Sequence, residues 1–302
     1  MSFDRIFILG AGAIGSVYGA LLSQQHEVTL IGNKMQTEAI NSHGLLIVGD
    51  INETFQLKAD TQIRNIPNKT LIVLTTKAYD TERSLKEIKN LLKNDTVILI
   101  LQNGFGNESI ARDIVGSKCR ILRGVTTMAA ELSKPGKVRY WKGETIIGQD
   151  KLAREMVKMF KACGLETRFS DSIDSNVWVK LVVNCVVNPL TAILRVADGA
   201  IIVDSLKMVR HEILEECTKV AEAEGITLPL DLMRRIDEQV AHYTNFSSMY
   251  QDIVKGKKTE IDFLNEKIVE LGAKHHIPTP VNMTLTCFIK FLEGKNGISK
   301  HD

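Results

Sequence analysis

Lys180, Asn184 and Asn188 fall at i, i+4 and i+8 of the stretch Asp174-Ser-Asn-Val-Trp178-Val-Lys180-Leu-Val-Val-Asn184-Cys-Val-Val-Asn188-Pro189-Leu-Thr191, so a helix here carries them as one polar line. Trp178, Leu181, Val182, Val183, Val186 and Val187 make the rest of its surface apolar. Burying a carboxamide without a partner costs about 1–3 kcal/mol, and burying a charge costs more, so the three groups need hydrogen-bonding partners. One reading satisfies them internally, with the Asn side chains on neighbouring backbone and Lys180 reaching solvent. The other makes the line a pocket wall for a small ligand with anionic, hydroxyl or carbonyl groups.

A second constellation lies near the start. The apolar run Arg5-Ile-Phe-Ile-Leu9 stops at Gly10-Ala11-Gly12-Ala13-Ile14-Gly15, after which Val17, Leu21 and Leu22 follow a helical pattern. Strand, glycine turn and helix are the setting in which Gly-x-Gly-x-x-Gly holds a dinucleotide pyrophosphate at a helix N-terminus. Gly10 permits the turn, Gly12 lets the phosphate approach and Gly15 lets the helix pack on the sheet. A second strand, Glu27-Val-Thr-Leu-Ile31, ends in Gly32-Asn33-Lys34. An acid at that end would bond the ribose hydroxyls of NAD. Its absence, with Lys34 alongside, points to NADP(H) and leaves NAD(H) open.

These groups need a scaffold, and the chain supplies an α/β pattern. Strands are expected at 45–48, 54–57, 70–74 and 96–101, with a helix over 81–92. Lys77 and Asn103 follow strand ends, where ligands of doubly wound sheets bind. Further strands over 124–130 and 137–147 would complete the sheet, followed by a helix over 152–163 and a strand over 166–169. Beyond that the composition turns helical: 203–224, a segment through Leu232, Ile236 and Val240, 260–271 with Gly272 at its end, and 284–292. The expected organisation is an N-terminal Rossmann-like dinucleotide-binding domain, 1–170, and an all-α C-terminal domain, 171–302.

Composition bounds the function. The 302 residues suffice for two cores, and 44% hydrophobic with 25% charged residues describe a globular protein. A formal net charge of +2 gives no nucleic-acid surface. Five scattered cysteines without a Cys-x-x-Cys pair fit reduced thiols in the cytoplasm. No secretory leader is read at the N-terminus, and no apolar run is read as long enough for a membrane span. His211-Glu212 lacks the second histidine of a zinc-protease helix, and His275-His276 has no acidic or cysteine partner nearby in sequence, so no metal site is expected.

The motifs resemble the ketopantoate reductase family over essentially the whole chain. The resemblance rests on Gly10 to Gly15, Thr76-Lys77-Ala78, Gln102-Asn103-Gly104, the Lys180-Asn184-Asn188-Pro189 helix, and Ser247-Ser248-Met-Tyr-Gln251-Asp252 with Lys258-Thr259-Glu260-Ile-Asp262. It implies reduction of the 2-oxo acid 2-dehydropantoate to pantoate, a step toward coenzyme A, with NADPH as reductant. Lys180 would be the acid that protonates the substrate oxygen. Glu260 would contact the cofactor ribose and help set the surroundings of the lysine. Asn184, Asn188, Asn245 and Ser248 would bind substrate, and Gly10 to Gly15, Lys77, Asn103 and Ala130 the cofactor. Two positions depart from the family pattern: Asn33, at a cofactor-binding position beside Lys34, stands where relatives often have arginine, and Asp198, at a substrate-binding position, where they often have asparagine before a glycine. A lysine ammonium meets the need of 2-oxo-acid reduction for a proton on the carbonyl oxygen, and its ordinary pKa of about 10.4 keeps it protonated at neutral pH. Two alternatives remain: a D-2-hydroxy-acid dehydrogenase on the same scaffold, and a non-catalytic nicotinamide-nucleotide sensor, which has no need of Lys180 or Glu260. The partner implied is a small 2-oxo acid, and a homodimer is compatible with the sequence.

Overall fold

The computed structural model describes residues 3–148 and 150–298. Two compact units divide the chain. Among the described residues, the first runs to Gln102 and then from Gly106 to Ile173, and the second takes Asn103–Phe105 and those from Asp174 onward.

Twelve strands among the described residues belong to the first unit: β1 (Arg5–Leu9), β2 (Val28–Ile31), β3 (Leu45–Gly49), β4 (Glu53–Phe55), β5 (Lys58–Asp60), β6 (Thr70–Leu74), β7 (Val97–Ile100), β8 (Arg120–Thr126), β9 (Ala129–Lys134), β10 (Lys137–Trp141), β11 (Thr145–Gly148) and β12 (Thr167–Ser170). Eight form the main sheet in the order β12-β11-β8-β7-β6-β1-β2-β5. All its pairings are parallel except β8 with β11. Its central strands are buried apolar runs, as a sheet covered on both faces requires. The chain leaves β1 toward β2 on one side and meets β6 on the other. The strand order therefore reverses beside β1, the place where such sheets bind ligands.

The helices of this unit are α1 (Ala13–Leu22), α2 (Lys34–His43), α3 (Thr81–Ile88), α4 (Asn107–Val115) and α5 (Lys151–Ala162). Val17, Tyr18 and Leu21 of α1 share one core with Ile6 and Ile8 of β1 and with Ile47 and Val138 of a second sheet. That four-stranded sheet, β4-β3-β10-β9, corrects the expectation that 124–130 and 137–147 complete the main sheet. Each run breaks in two. β8 ends at Thr126, whose hydroxyl accepts from the Met128 N–H at 3.1 Å, and β9 starts afresh at Ala129 to pair with β10. Helix α3 stops at Ile88, short of the expected Leu92, and the short strand β5 escaped the periodicity reading.

The second unit is helical: α6 (Ile173–Leu194), α7 (Asp204–Ala223), α8 (Leu232–Val240), α9 (Ser248–Val254), α10 (Asn265–Lys274) and α11 (Pro280–Ile298). Its core gathers Trp178, Leu181, Val182, Val186 and Leu190 of α6 with Ile213 and Val220 of α7, Ile268 of α10 and Ile289 of α11. At 22 residues, α6 is long and apolar enough to cross a bilayer, which corrects the expectation that no run approaches that length. Most of it is buried within the unit, as befits a core helix. Gly272 lies inside α10 and does not end it. A Cβ there would come within 2.8 Å of the Ile277 carbonyl oxygen and of Thr279 Cγ2, so the glycine admits the returning chain.

Candidate active site

In the first unit the glycine loop has the geometry its spacing implies. Gly10 has φ +120, and a Cβ on it would lie 2.5 Å from the Thr76 N. A Cβ on Gly15 would lie 2.0 Å from the Gly10 carbonyl oxygen and 2.5 Å from Thr75 Oγ1, so α1 is seated against the β1 turn. At Gly12 a Cβ would meet nothing within 4 Å. The open side of the loop is thus at its crest, next to the N–H groups of Ala13, Ile14 and Gly15 that begin α1, and the first turn of α1 holds no acidic residue. These features fit a bound pyrophosphate.

Other expected cofactor residues stand around this loop. Asn33 caps α2, its side-chain oxygen accepting from the Gln36 N–H at 3.0 Å, which commits that oxygen and leaves the amide nitrogen for a ligand. Lys34 is exposed, 3.7 Å from Glu38. Lys77 precedes the 3-10 turn Ala78–Asp80 just beyond β6. Gln102 Nε2 ties that segment together, donating to Thr76 O at 2.9 Å and to Thr81 Oγ1 at 2.8 Å. Ala130 lies in the second sheet, half-buried against the core around α1. Asn103 belongs to the second unit. There Gly104, at φ +83, approaches Phe263 closely, the Phe105 N–H donates to Phe263 O at 3.0 Å, and the Phe105 ring centroid lies 5.1 Å from that of Trp178.

In the second unit α6 carries the expected polar line, with Asn184 and Asn188 buried and Lys180 half-buried. Pro189 lies inside this helix and has no N–H, so the Cys185 carbonyl four residues earlier loses its helical donor. Asn265 Nδ2 replaces it at 3.0 Å. The same nitrogen lies 2.9 Å from Asn282 Oδ1, and Asn282 Nδ2 donates to Glu216 Oε2 at 2.7 Å. The buried Glu216 carboxylate also accepts the Val281 and Asn282 N–H groups at 2.8 and 2.9 Å, capping the start of α11. Sequence reasoning missed this network, because its only local signal is the proline within a helical pattern.

The other face of the line has no such satisfaction. Asn184 Nδ2 is buried without a partner, and so is Asp198 Oδ1. The second carboxylate oxygen, Oδ2, accepts from Asn245 Nδ2 at 2.7 Å. Two backbone bonds clamp this pair: Asp198 N–H to Asn245 O at 3.0 Å and Gly199 N–H to Tyr243 O at 2.9 Å. Burial pushes the Asp198 carboxyl up to about 6, while the Asn245 bond, the Ser247 backbone N–H and the charge of Lys180 act to lower it. Burial also holds Lys180 below the usual lysine value, against the charge of Asp198. The ordinary lysine pKa expected from sequence is therefore corrected downward. Ser247 caps α9 with its hydroxyl 2.8 Å from that of Thr191, which places Ser248 at the head of α9. Glu260 is buried at the start of the 3-10 turn Ile261–Phe263.

The structure thus brings Lys180, Asn184, Asp198 and Asn245 together, and the orphaned Asn184 nitrogen favours a ligand wall over internal satisfaction. Other polar clusters lie elsewhere. His211, Glu212 and Glu215 sit together on the exposed face of α7, where Lys219 pairs with Glu215 at 2.6 Å. A cavity of about 510 Å³ in the first unit, lined by Asn94, Glu108, Arg112, Arg120, Arg123 and Asp150 among others, contains none of the expected site residues.

Comparison with known proteins bears on both units. Residues 6–151 match the family model "Ketopantoate reductase PanE/ApbA", and residues 172–293 match "Ketopantoate reductase PanE/ApbA C terminal". The chain is 40% identical to the 2-dehydropantoate 2-reductase of Pyrococcus horikoshii, covering 98% of this chain and 100% of that one. It is 32% identical to the protein of the same name from Archaeoglobus fulgidus, covering 97% and 99%. Among solved structures, a PanE/ApbA family ketopantoate reductase from Ralstonia eutropha superposes with a TM-score of 0.90 at 32% identity, covering 97% of this chain and 99% of that one. A D-mandelate dehydrogenase in ternary complex with NADH and anilino(oxo)acetate superposes with a TM-score of 0.91 at 31% identity, with the same coverage.

Proposed function

The chain belongs to the ketopantoate reductase family, and from that premise we propose that it reduces 2-dehydropantoate to (R)-pantoate with NADPH, in the biosynthesis of pantothenate and coenzyme A. The observation that carries this reading is the Lys180 line of α6, where an ammonium stands one turn from the unpaired amide nitrogen of Asn184. When bound, the nicotinamide supplies the hydride. The residues of this chain supply the rest. Lys180 holds a proton at Nζ for the carbonyl oxygen, and its charge stabilises the alkoxide as it develops. Burial makes Lys180 a stronger acid, and Asp198 opposes its loss of charge. Asn184 and Asn188 orient the acyl side chain, Ser248 at the start of α9 and Asn245 in the loop before it hold the substrate, and Glu260 meets the cofactor ribose and shapes the surroundings of Lys180. The glycine loop, Lys77, Asn103 and Ala130 hold the cofactor, with Asn33 and Lys34 toward the 2′-phosphate.

The same reading makes this a cytoplasmic enzyme of small molecules, without a nucleic-acid or membrane partner, and admits a homodimer. A D-2-hydroxy-acid dehydrogenase is the second reading, favoured by the likeness to D-mandelate dehydrogenase with NADH. Spectrophotometric oxidation of NADPH and NADH against a panel of 2-oxo acids separates them. The highest catalytic efficiency with 2-dehydropantoate and NADPH is expected. A better aromatic or simple branched 2-oxo acid would favour the second reading, and no turnover with any acid would leave a nucleotide sensor.

A further inference from the structure

Asn184 Nδ2 and Asp198 Oδ1 are both buried, both without a partner, and opposite in kind: the amide nitrogen only donates, and an ionised carboxylate oxygen only accepts. The acid is also held rigidly, by Asn245 on its other oxygen and by the two backbone bonds that join 198–199 to 243–245. An orphan donor and an orphan acceptor are jointly satisfied by one group that accepts and donates at once, which describes a hydroxyl.

We propose that Asp198 sets the side-chain specificity of the site: with Asn184 it takes a hydroxyl on the acyl side chain of the substrate, and it rejects 2-oxo acids whose side chain offers only acceptors or a second carboxylate. The proposal rests on the 2-oxo-acid reductase reading and deepens it. An asparagine at this position could turn either its oxygen or its nitrogen toward the ligand, so it would tolerate donors and acceptors alike. An ionised aspartate has no such freedom. The groups that face Asp198 are Lys180 from α6, the Asn245 side chain and the Ser247 backbone N–H, and Lys180 supplies the charge among them. Because burial lifts this carboxyl to about 6, its selectivity should strengthen as pH rises through that value and the acceptor-only form takes over.

The test compares kcat/KM for 2-dehydropantoate with that for its O-methyl ether, which keeps the oxygen as an acceptor but has no proton to give. Wild type should favour the hydroxyl acid by ~10-fold or more, and Asp198→Asn should narrow the ratio to within a few-fold. In wild type alone the ratio should fall as pH is lowered from about 7.5 to about 5, a series that decides the matter even if the variant does not fold. A ratio that is the same in both proteins, or a wild-type ratio independent of pH, overturns the proposal. Good turnover of 2-dehydropantoate with equal turnover of the ether removes this inference alone. Failure to reduce any 2-oxo acid removes the reductase reading with it.

Discussion

A methyl group added at Gly15 would lie 2.0 Å from the Gly10 carbonyl oxygen, whereas at Asn184 an amide nitrogen is already present with nothing to bond. In the first unit the proposed cofactor loop leaves side chains out, so that the backbone of β1, α1 and β6 can close up. In the second the proposed substrate site buries side chains that the fold itself does not satisfy. A site of the first kind should break when atoms are added and should fail in stability and binding together. A site of the second kind should break when functional atoms are removed, and stability and activity should separate.

The largest effect expected is on turnover. Lys180→Ala should lower kcat by at least ~10²-fold while leaving cofactor affinity nearly unchanged, because the glycine loop belongs to the other unit. Fluorescence titration of the cofactor beside steady-state kinetics checks both halves, and near-normal turnover would remove Lys180 from its role as acid.

Next, Gly15→Ala should destabilise the protein by about 1–3 kcal/mol through overpacking and weaken cofactor binding with it. Gly12→Ala, whose Cβ meets no protein atom within 4 Å, should leave the melting temperature alone and weaken only the cofactor. If both variants melt alike, the division of labour within the loop is wrong.

Asn184→Leu is the counterpart in the second unit. Removing an unsatisfied buried donor should leave stability unchanged or raise it by about 1 kcal/mol, while catalytic efficiency on the hydroxylated substrate falls. Denaturant unfolding without ligand is the measurement, and a loss of stability would mean that Asn184 has an internal partner.

The smallest effect belongs to Lys34. Its side chain is 80% exposed, so Lys34→Ala should narrow the preference for NADPH over NADH only several-fold, about 1 kcal/mol, and less at high salt. An unchanged ratio of catalytic efficiencies would mean that this loop does not read the 2′-phosphate.

The sequence carried much of this comparison where the signal was local. The glycine spacing implied a turn, an approach and a close packing, and the polar line at i, i+4 and i+8 appeared on α6 as read. What escaped was set by pairing across long distances. Leu45–Gly49 and Lys137–Trp141 lie some ninety positions apart yet run side by side in the second sheet, which no alternation within either segment announces. The long separation in sequence of Asp198 and Gly199 from their partners Asn245 and Tyr243 hides that clamp in the same way. Gly272 looked like a helix end because glycine often is one, and tertiary packing against Thr279 overrode that preference.

The proline in α6 ties the completion of this helix to the order in which the chain is made. The Cys185 carbonyl is satisfied by Asn265, and Asn265 is held by Asn282, so the segment that bears Lys180 waits for residues synthesised some eighty to a hundred positions later. A nascent chain whose Asn265 has not yet left the ribosome should carry this stretch as a frayed helix open to protease. Protection of α6 in ribosome-arrested chains ending before Asn265 would contradict that expectation. On this account the helical unit is the last part of the molecule to become ordered, long after the first unit has left the tunnel.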